Sequence, residues 1–314
     1  MSFEQLLGNE RIKENLNTSL SKGRISHFYL LAGPQGSGRH TLAKLLAAAI
    51  LCQEGEKPCM GCTPCRKIMN GTHPDFITVD DPEHKNVAVR IIRDFREDVY
   101  IRPNEAEHKI YLFPQDLGIE GQNALLKTLE EPPKYGVFIL LTNNPEKLLP
   151  TVRSRCVELQ LQPLPQALLR RELTKRFPDA HPDTLSAAAV RSGGYLGQAL
   201  ELLENTEVAP QTEGFVRAFA TRDALLLTQT LVPLEKWKRD SLIPLVRQWL
   251  ELTQSALCCR AGLQSPFPLA QQLSTTRSSQ DLMRAADALK KALEYLSGNV
   301  SPAAVCGWLT WELR

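Results

Sequence analysis

The sequence predicts an α/β domain built on a parallel sheet, followed by a helical C-terminal half. Short apolar runs alternate with amphipathic stretches as far as residue 161, as expected for parallel strands joined by crossover helices. One apolar run leads through a glycine-rich loop into an Ala- and Leu-rich helix, an order that is typical of phosphate-binding loops. Beyond Pro163 the strand-like runs stop, and apolar residues recur only at helical spacing.

The α/β part has five predicted strands, at residues 27–32, 75–79, 109–113, 136–141 and 156–161. The run at 136–141 is apolar at nearly every position, as expected of a central strand covered on both faces. A helix is predicted before the first strand, at residues 1–26, and helices between the strands are predicted at residues 42–51, 89–100 and 120–131. The first has Ile12, Leu16 and Leu20 at helical spacing, and the last is stopped by two consecutive prolines at 132–133.

The remainder of the chain is predicted to be helical. Helices are expected at residues 166–176, 182–190, 198–203, 215–219, 224–231, 240–260, 281–296 and 303–313. Residues 206–213, which contain proline and acids, are predicted to be a linker. We therefore expect three domains: an α/β domain at 1–163, a small helical domain at 164–206 and a helical C-terminal domain at 207–314.

Composition narrows the class of protein. The 314 residues are 43% hydrophobic and 23% charged, which is ordinary for a globular protein of two or three domains. No apolar run approaches the ~20 residues that a membrane span needs, and the N-terminus has no secretion signal, so we expect a cytoplasmic protein without a membrane partner. The net charge of +2 neither requires nor excludes nucleic acid, because a basic face can exist within a balanced total.

The glycine loop (residues 33–38) and the start of the following helix have the architecture of a phosphate-binding loop without its key side chains. The loop contains three glycines: Gly33, Gly36 and Gly38. Arg39 stands where the pattern requires Lys, and His40 stands where it requires a Ser or Thr to hold magnesium. Thr41 comes one residue late, about 100° around the helix. We predict a loop that has lost its nucleotide chemistry; the alternative is a turn that never bound phosphate.

The acidic half of a nucleotide site is altered as well. The strand at 109–113 is followed by Pro114 and Gln115, where a magnesium-positioning acid is required. Asp116 lies two residues further on, behind a proline that reshapes the backbone. Two altered motifs from separate parts of the chain predict that this protein does not hydrolyse ATP and holds no bound ATP.

A cluster of four cysteines, which we call the cysteine cluster, follows the first α/β helix: Cys52, Cys59, Cys62 and Cys65. Four cysteines within fourteen residues of a cytoplasmic protein predict a structural Zn²⁺ site, since four thiolates complete a tetrahedron. Iron–sulfur clusters also use four cysteines, although with different spacing. The remaining alternative is four unrelated thiols. We expect the insertion that carries the cluster to cover residues 52–65.

Three further motifs occur in a fixed order: residues 123–133 (NALLKTLEEPP), 141–144 (LTNN) and 154–156 (SRC). Together they resemble the clamp-loader branch of the AAA+ family. Residues 7–9 and 25–28 and the cysteines also match, and a weaker likeness continues at residues 192–200 and Asn299. The resemblance implies an AAA+ domain, then a helical lid domain and an all-α collar domain that forms the oligomer. The tryptophans at 237, 249, 308 and 311 are expected either to anchor collar contacts or to fill the collar's own core.

The resemblance also implies roles for individual residues. Arg155 matches an arginine finger that acts in trans on the ATP site of a neighbouring subunit, so no catalytic residue is expected in cis. Thr142 and Asn143 match the sensor position. Gly197 stands where ATP-binding relatives carry a second sensor arginine, which removes a third nucleotide contact.

The function expected from these observations is that of an ATPase-inactive clamp-loader subunit in the replicative DNA polymerase holoenzyme. Its expected partners are the ATP-hydrolysing loader subunits and the delta subunit, and through the complex the sliding clamp and primed DNA. One alternative is an ATP-hydrolysing subunit of the same loader. Another is a zinc-dependent nucleic-acid-binding module, in which the cysteine cluster presents Arg66 and Lys67 to phosphates.

Overall fold

The computed structural model describes residues 3–84, 86–204, 210–263, 265, 267–298 and 300–314. Five parallel strands form one sheet in the order β2-β3-β4-β1-β5. The strands are β1 (Phe28–Ala32), β2 (Phe76–Thr78), β3 (Lys109–Phe113), β4 (Gly136–Thr142) and β5 (Val157–Gln160). Each strand begins and ends within one residue of its predicted bounds. The predicted parallel α/β fold is confirmed.

Helices connect the strands and make up the rest of the described chain. Those of the N-terminal part are α1 (Glu10–Ser21), α2 (Arg39–Leu51), α3 (Thr63–Met69), α4 (Val89–Asp98), α5 (Ile119–Glu130) and α6 (Pro150–Arg153). Those that follow are α7 (Gln166–Arg176), α8 (Pro182–Arg191), α9 (Leu196–Glu204), α10 (Pro210–Thr221), α11 (Ala224–Leu231), α12 (Arg239–Arg260), α13 (Pro268–Thr276), α14 (Ser279–Ser297) and α15 (Pro302–Glu312). None of the helices in the described residues is long and apolar enough to cross a membrane.

Strand β1 is the central element of the sheet and positions the glycine loop. It pairs with β4 on one side and β5 on the other, and all five of its residues are buried. Successive side chains of a strand point to opposite faces, so Tyr29 and Leu31 pack with α1, α2 and α3. Phe28 and Leu30 pack on the other face with α4, α5 and α6. Coverage of both faces explains why β1 is apolar throughout.

An aromatic group makes up much of the second face. The ring of Phe95 on α4 packs edge-on against Tyr111, Phe113 and Phe138, with centroids 4.8, 5.2 and 5.7 Å away. Edge-to-face pairs of this kind contribute beyond their buried area because a ring edge is positive and a ring face is negative. This group joins α4 to β3 and β4.

The single helix predicted over residues 1–26 is wrong. Gly8 and Asn9 have left-handed backbone conformations, with φ of 61° and 57°, and α1 begins only at Glu10. A left-handed residue interrupts the α-helical hydrogen-bond ladder. The Asn9 side chain is used elsewhere, since its Oδ1 accepts the N–H of Gln162 at 2.8 Å. Phe3 remains buried although it belongs to no helix.

The described chain divides into two compact units: residues Met1–Leu173 with Ala189–Leu200, and Thr174–Ala188 with Glu201–Arg314. The boundaries predicted at 163 and 206 therefore stay a prediction. Of the predicted linker, residues 205–209 lie outside the described residues, and the rest is helical because α10 begins at Pro210. Asn299, which supported the resemblance, also lies outside them.

The helical core of the second unit is centred on Trp249 of α12, which is fully buried. The Trp249 ring stacks on Phe215 with centroids 4.5 Å apart, and its Nε1–H donates to Thr212 at 3.0 Å. Among the four tryptophans, Trp249 fills the core, whereas Trp311 is 72% exposed. The expectation that these aromatics fill the helical core is met at Trp249, and the expectation of contacts between subunits stays a prediction.

Candidate functional site

The glycine loop has the predicted position between β1 and α2. Gly36 and Gly38 have φ of 77° and 95°, and Gly38 is the N-cap of α2. Left-handed conformations are readily adopted only by glycine, which explains two of the three glycines. The loop therefore has the form in which backbone N–H groups at a helix start can approach an anion.

The residues after the loop differ in chemistry from a lysine followed by a magnesium-binding hydroxyl. Arg39 is the first residue of α2; partial burial lowers its pKa, while the charge of Asp116 acts in the opposite direction. The pKa of His40 is lowered by desolvation and by the cations Arg39 and Lys44, which favours a neutral imidazole. Neutral imidazole is a poor magnesium ligand. Thr41 is exposed on the first turn of α2.

The start of helix α9 lies directly on the glycine loop. The N–H of Gly197 donates to the carbonyl of Gly36 at 2.9 Å, and the side-chain amide of Gln198 donates to the carbonyl of Gln35 at 2.9 Å. A Cβ placed on Gly197 would lie 2.5 Å from the Cα of Gly36. An arginine at position 197 is therefore incompatible with this packing, because two backbones meet there.

The end of β3 is built differently from an acidic nucleotide motif. The side chain of Gln115 is fully engaged with the loop after β2, since it donates to the carbonyls of Asp81 and His84 and accepts the N–H of Asp81 at 2.7 Å. Asp116, which follows β3 in the chain, lies beside the last residue of β4. Its Oδ1 accepts a hydrogen bond from the hydroxyl of Thr142 at 2.9 Å. The fold thus brings Asp116, to which no role was assigned from the sequence, to the predicted sensor threonine. Asn143, the second predicted sensor residue, is exposed.

The four cysteine sulfurs converge, as predicted. All four Sγ atoms lie within 4.8 Å of one another, and those of Cys52 and Cys62 are 3.9 Å apart. Zn–S bonds of about 2.3 Å in a tetrahedron separate two sulfurs by about 3.8 Å, so the spacing fits a tetrahedral thiolate site. Cys52 ends α2, Cys62 caps α3, and Cys65 lies one turn into α3. Two helices and one tight loop thus position the four ligands.

The tight loop also favours a thiolate. Met60 has a left-handed φ of 59°, which turns the backbone so that the N–H of Cys62 points at the sulfur of Cys59, 3.2 Å away. N–H donors from Cys62 and Gly61 lower the pKa of Cys59 to about 7. Burial instead raises the pKa of Cys52 and of Cys65. Neutral buried thiols become thiolates when a cation binds them, so the donor set fits a soft divalent metal.

Arg155 lies at the surface, in the turn between α6 and β5. Its Nη1 donates to the carbonyl of Thr151 at 2.7 Å, and its Nη2 forms an ion pair with Glu130 at 3.0 Å. Arg153, two residues earlier, is held differently because it pairs with Glu146 and Glu158 at 2.8 and 2.9 Å. Arg153 therefore secures the turn, and Arg155 presents a guanidinium beside it.

Comparison with known proteins tests the resemblance to a known family. A model of the protein family described as "DNA polymerase III, delta subunit" matches residues 8–165, half of the 314-residue chain. The chain is 32% identical over 212 residues to the DNA polymerase III subunit delta' of Bacillus subtilis and covers 63% of it. It is 35% identical to the subunit tau of the same organism and 34% identical to the subunit gamma of Buchnera aphidicola, covering 40% and 58% of them. These alignments include 67%, 72% and 65% of this chain.

The chain thus spans less than two thirds of the length of each of these relatives. Among solved structures, a DNA polymerase III gamma subunit-related protein from Thermotoga maritima has the same fold, with a TM-score of 0.50, 18% identity and coverage of 97% of this chain and 99% of that one. The family match, the AAA+ sheet order and the three ordered motifs agree with one another. The chain belongs to the DNA polymerase III clamp-loader family, represented by the model of its delta subunit.

Proposed function

We propose that this protein is a clamp-loader subunit of the delta-prime type, which binds and hydrolyses no ATP itself and supplies Arg155 to the ATP site of a neighbouring subunit. Its partners are then the ATP-hydrolysing loader subunits and the delta subunit, and the assembly places a sliding clamp on primed DNA in the cytoplasm. The subunit has no enzymatic activity alone and belongs to a complex with DNA polymerase activity.

The observation that carries the proposal is the contact between Gly197 and Gly36. The two backbones are joined by a 2.9 Å hydrogen bond at the glycine loop, where a nucleotide-binding relative needs room and an arginine. The cationic Arg39 and neutral His40 give no magnesium ligand there, and Gln115 is fully used by the neighbouring loop. Residues at three separate places, namely position 197, positions 39–40 and position 115, thus have the same consequence for nucleotide binding.

The role of Arg155 is supported by its accessibility and by the chemistry of its side chain. Its side chain is 37% exposed, and a guanidinium offers a fork of N–H donors that matches a phosphoryl group. A fixed positive charge beside the transferring phosphoryl group stabilises the transition state. In the absence of a nucleotide site of its own, this chain uses that charge on another subunit.

The cysteine cluster is proposed to hold Zn²⁺ in a structural role. Four thiolates leave no open coordination position, so the metal would supply no catalysis; it would hold the end of α2 to the start of α3. Lys67, which the alternative nucleic-acid role requires, is already paired with Glu105 at 2.6 Å. That contact favours a structural role over phosphate binding.

A first experiment measures ATP binding by calorimetry and ATP hydrolysis with the purified chain, alone and in the reconstituted loader. We expect neither activity from the chain alone. The contact between Asp116 and Thr142 favours an ATP-hydrolysing subunit, because it brings an acid to the predicted sensor threonine. Turnover by the chain alone, abolished by Asp116→Asn, would replace our proposal with that alternative.

A second experiment tests Arg155 in the reconstituted loader. Arg155→Ala should leave assembly intact and reduce hydrolysis at the ATP site it serves by a factor on the order of 10³. Arg155→Lys should be nearly as impaired, because an ammonium lacks the fork. Arg153→Ala is the comparison variant: it removes the arginine that secures the same turn, so its effect measures the loss of rate that loosening of the turn alone produces. Equal rates for Arg155→Ala and the unmodified complex, with assembly intact, would exclude the finger role.

A further inference from the structure

We infer that Glu130 is a positioning residue for Arg155, whose carboxylate holds the guanidinium in the orientation from which it acts on a neighbouring subunit's ATP. The inference rests on the proposed function of Arg155 and adds a second residue to it. Glu130 and Arg155 are 25 positions apart, so their contact is visible only in the structure.

The contacts fix the guanidinium at two nitrogens. Nη2 of Arg155 lies 3.0 Å from Oε1 of Glu130, and Nη1 lies 2.7 Å from the carbonyl oxygen of Thr151. The two acceptors belong to different elements, the last residue of α5 and the first turn of α6. A planar group held at both ends cannot rotate freely, so the long side chain of Arg155 has one defined orientation.

The location of Glu130 is not explained by the stability of α5. The C-terminal end of a helix carries partial negative charge from its unpaired carbonyl groups, so a carboxylate there is unfavourable. Glu130 is the last residue of α5, and Glu131 adds a second carboxylate at the C-cap. A helix selected only for stability would carry a basic or neutral residue at this end. The ion pair with Arg155 offsets the repulsion at Glu130.

The pair orders Arg155 without withdrawing it from a phosphate. The side chains of Arg155 and Glu130 are 37% and 52% exposed, so a second ligand can reach the guanidinium. Water weakens an ion pair at this exposure. A guanidinium has five N–H donors, and the contacts to Glu130 and Thr151 leave donors for a phosphoryl oxygen.

Pre-organisation makes a kinetic prediction. Without Glu130 the Arg155 side chain would sample several rotamers. The entropy cost of ordering it would then add to the activation free energy of hydrolysis. The ordering of one flexible side chain corresponds to a change of about 2- to 10-fold in rate. The kcat of the loader for ATP should fall by this factor in Glu130→Ala, with KM unchanged, because ground-state ATP binding belongs to the partner.

The experiment uses the full chain in the reconstituted loader and compares Glu130→Ala, Glu130→Gln and Glu131→Ala. Glu130→Gln should be intermediate, since the amide oxygen accepts a hydrogen bond without charge. Glu131→Ala removes the same charge from the same helix end, and among the described contacts Glu131 makes no ion pair with Arg155; it should not change kcat. Each variant is combined with Arg155→Ala, because a residue that acts only through Arg155 has no further effect in that background.

The outcomes separate this inference from the proposed function. If Arg155→Ala leaves the rate unchanged, the finger role itself fails. If Arg155→Ala lowers the rate and Glu130→Ala equals the unmodified complex, the finger stands and the positioning role is excluded. An increase of kcat in Glu130→Ala would mean that the carboxylate sequesters Arg155, which also overturns the inference. The same loss in the Arg155→Ala background would assign Glu130 a different role.

Discussion

Replacement of Gly197 by alanine should open the contact between α9 and the glycine loop. The added Cβ would lie 2.5 Å from the Cα and 3.0 Å from the carbonyl oxygen of Gly36, and neither backbone atom belongs to a flexible side chain that can move aside. One segment must therefore shift. The hydrogen bonds from Gly197 to Gly36 and from Gln198 to Gln35, both 2.9 Å, would break or lengthen.

The size of the effect follows from three contributions. Each lost hydrogen bond costs about 0.5–1.5 kcal/mol, and overpacking at a tight contact costs about 1–3 kcal/mol. Alanine gains up to about 1 kcal/mol over glycine within a helix, which acts in the opposite direction. We therefore expect the free energy of local opening to fall by about 1–5 kcal/mol, which corresponds to amide exchange about 5- to 5000-fold faster, because each 1.4 kcal/mol is a factor of ten.

Hydrogen–deuterium exchange of residues 33–41 and 196–200 is the direct assay, since it reports local opening rather than unfolding of the whole chain. Gly307→Ala is the matched control: Gly307 also lies in a helix, but a Cβ there meets no atom within 4 Å. It should stabilise its helix by up to about 1 kcal/mol. Unchanged protection of both segments in Gly197→Ala would refute the packing argument and weaken the case for a closed glycine loop.

Two further predictions concern the first unit. Replacing Cys59 and Cys62 by serine should release zinc, measured by elemental analysis, and increase exchange within residues 52–76; native protein without zinc would exclude that metal. Asp75→Asn should destabilise the fold by about 2–4 kcal/mol in urea, because the Asp75 carboxylate accepts three N–H groups from residues 104–106. Burial raises the pKa of Asp75, but the three N–H donors outweigh it and the net pKa is lowered. The stability contributed by the Asp75 carboxylate should therefore be present above about pH 4 and lost as pH falls through the lowered pKa. Equal dependence of unfolding on acid pH in the unmodified protein and in Asp75→Asn would contradict this.

The sheet could be predicted because its signal is local. A continuous apolar run such as Lys109–Phe113 identifies a strand without knowledge of its neighbours, and its bounds are those of β3. Helix α13 was missed because only Ala270 and Leu273 of its nine residues are buried, too few for a helical period. The error at residues 1–26 has another cause, since the apolar spacing continues across Gly8 and Asn9 although the backbone turns there.

The candidate site also has some features that could be predicted from the sequence and others that could not. The cysteine cluster and the substitutions at 39 and 40 are visible in the sequence because each motif is contiguous or nearly so. The contacts of Asp116 with Thr142 and of Glu130 with Arg155 are not, because each joins residues 26 or 25 positions apart that only the fold brings together. An acid shortly after a strand was the one available signal for Asp116, and the intervening proline obscured it.

The direction of β5 determines which ATP site Arg155 can reach. Strands β1 and β5 are parallel, with Tyr29 opposite Val157 and Ala32 opposite Gln160, so Arg155 precedes one strand while the glycine loop follows the other. The four residues of β5 that pair with β1 span ~13 Å, at about 3.3 Å per residue. Arg155 and the glycine loop thus lie at opposite ends of the sheet, and the arginine cannot serve its own loop. Under the proposed function, a neighbouring subunit's ATP site meets this chain at the Arg155 end of the sheet. Such a contact joins two different surfaces head to tail, which favours a ring or an open spiral over a two-fold dimer.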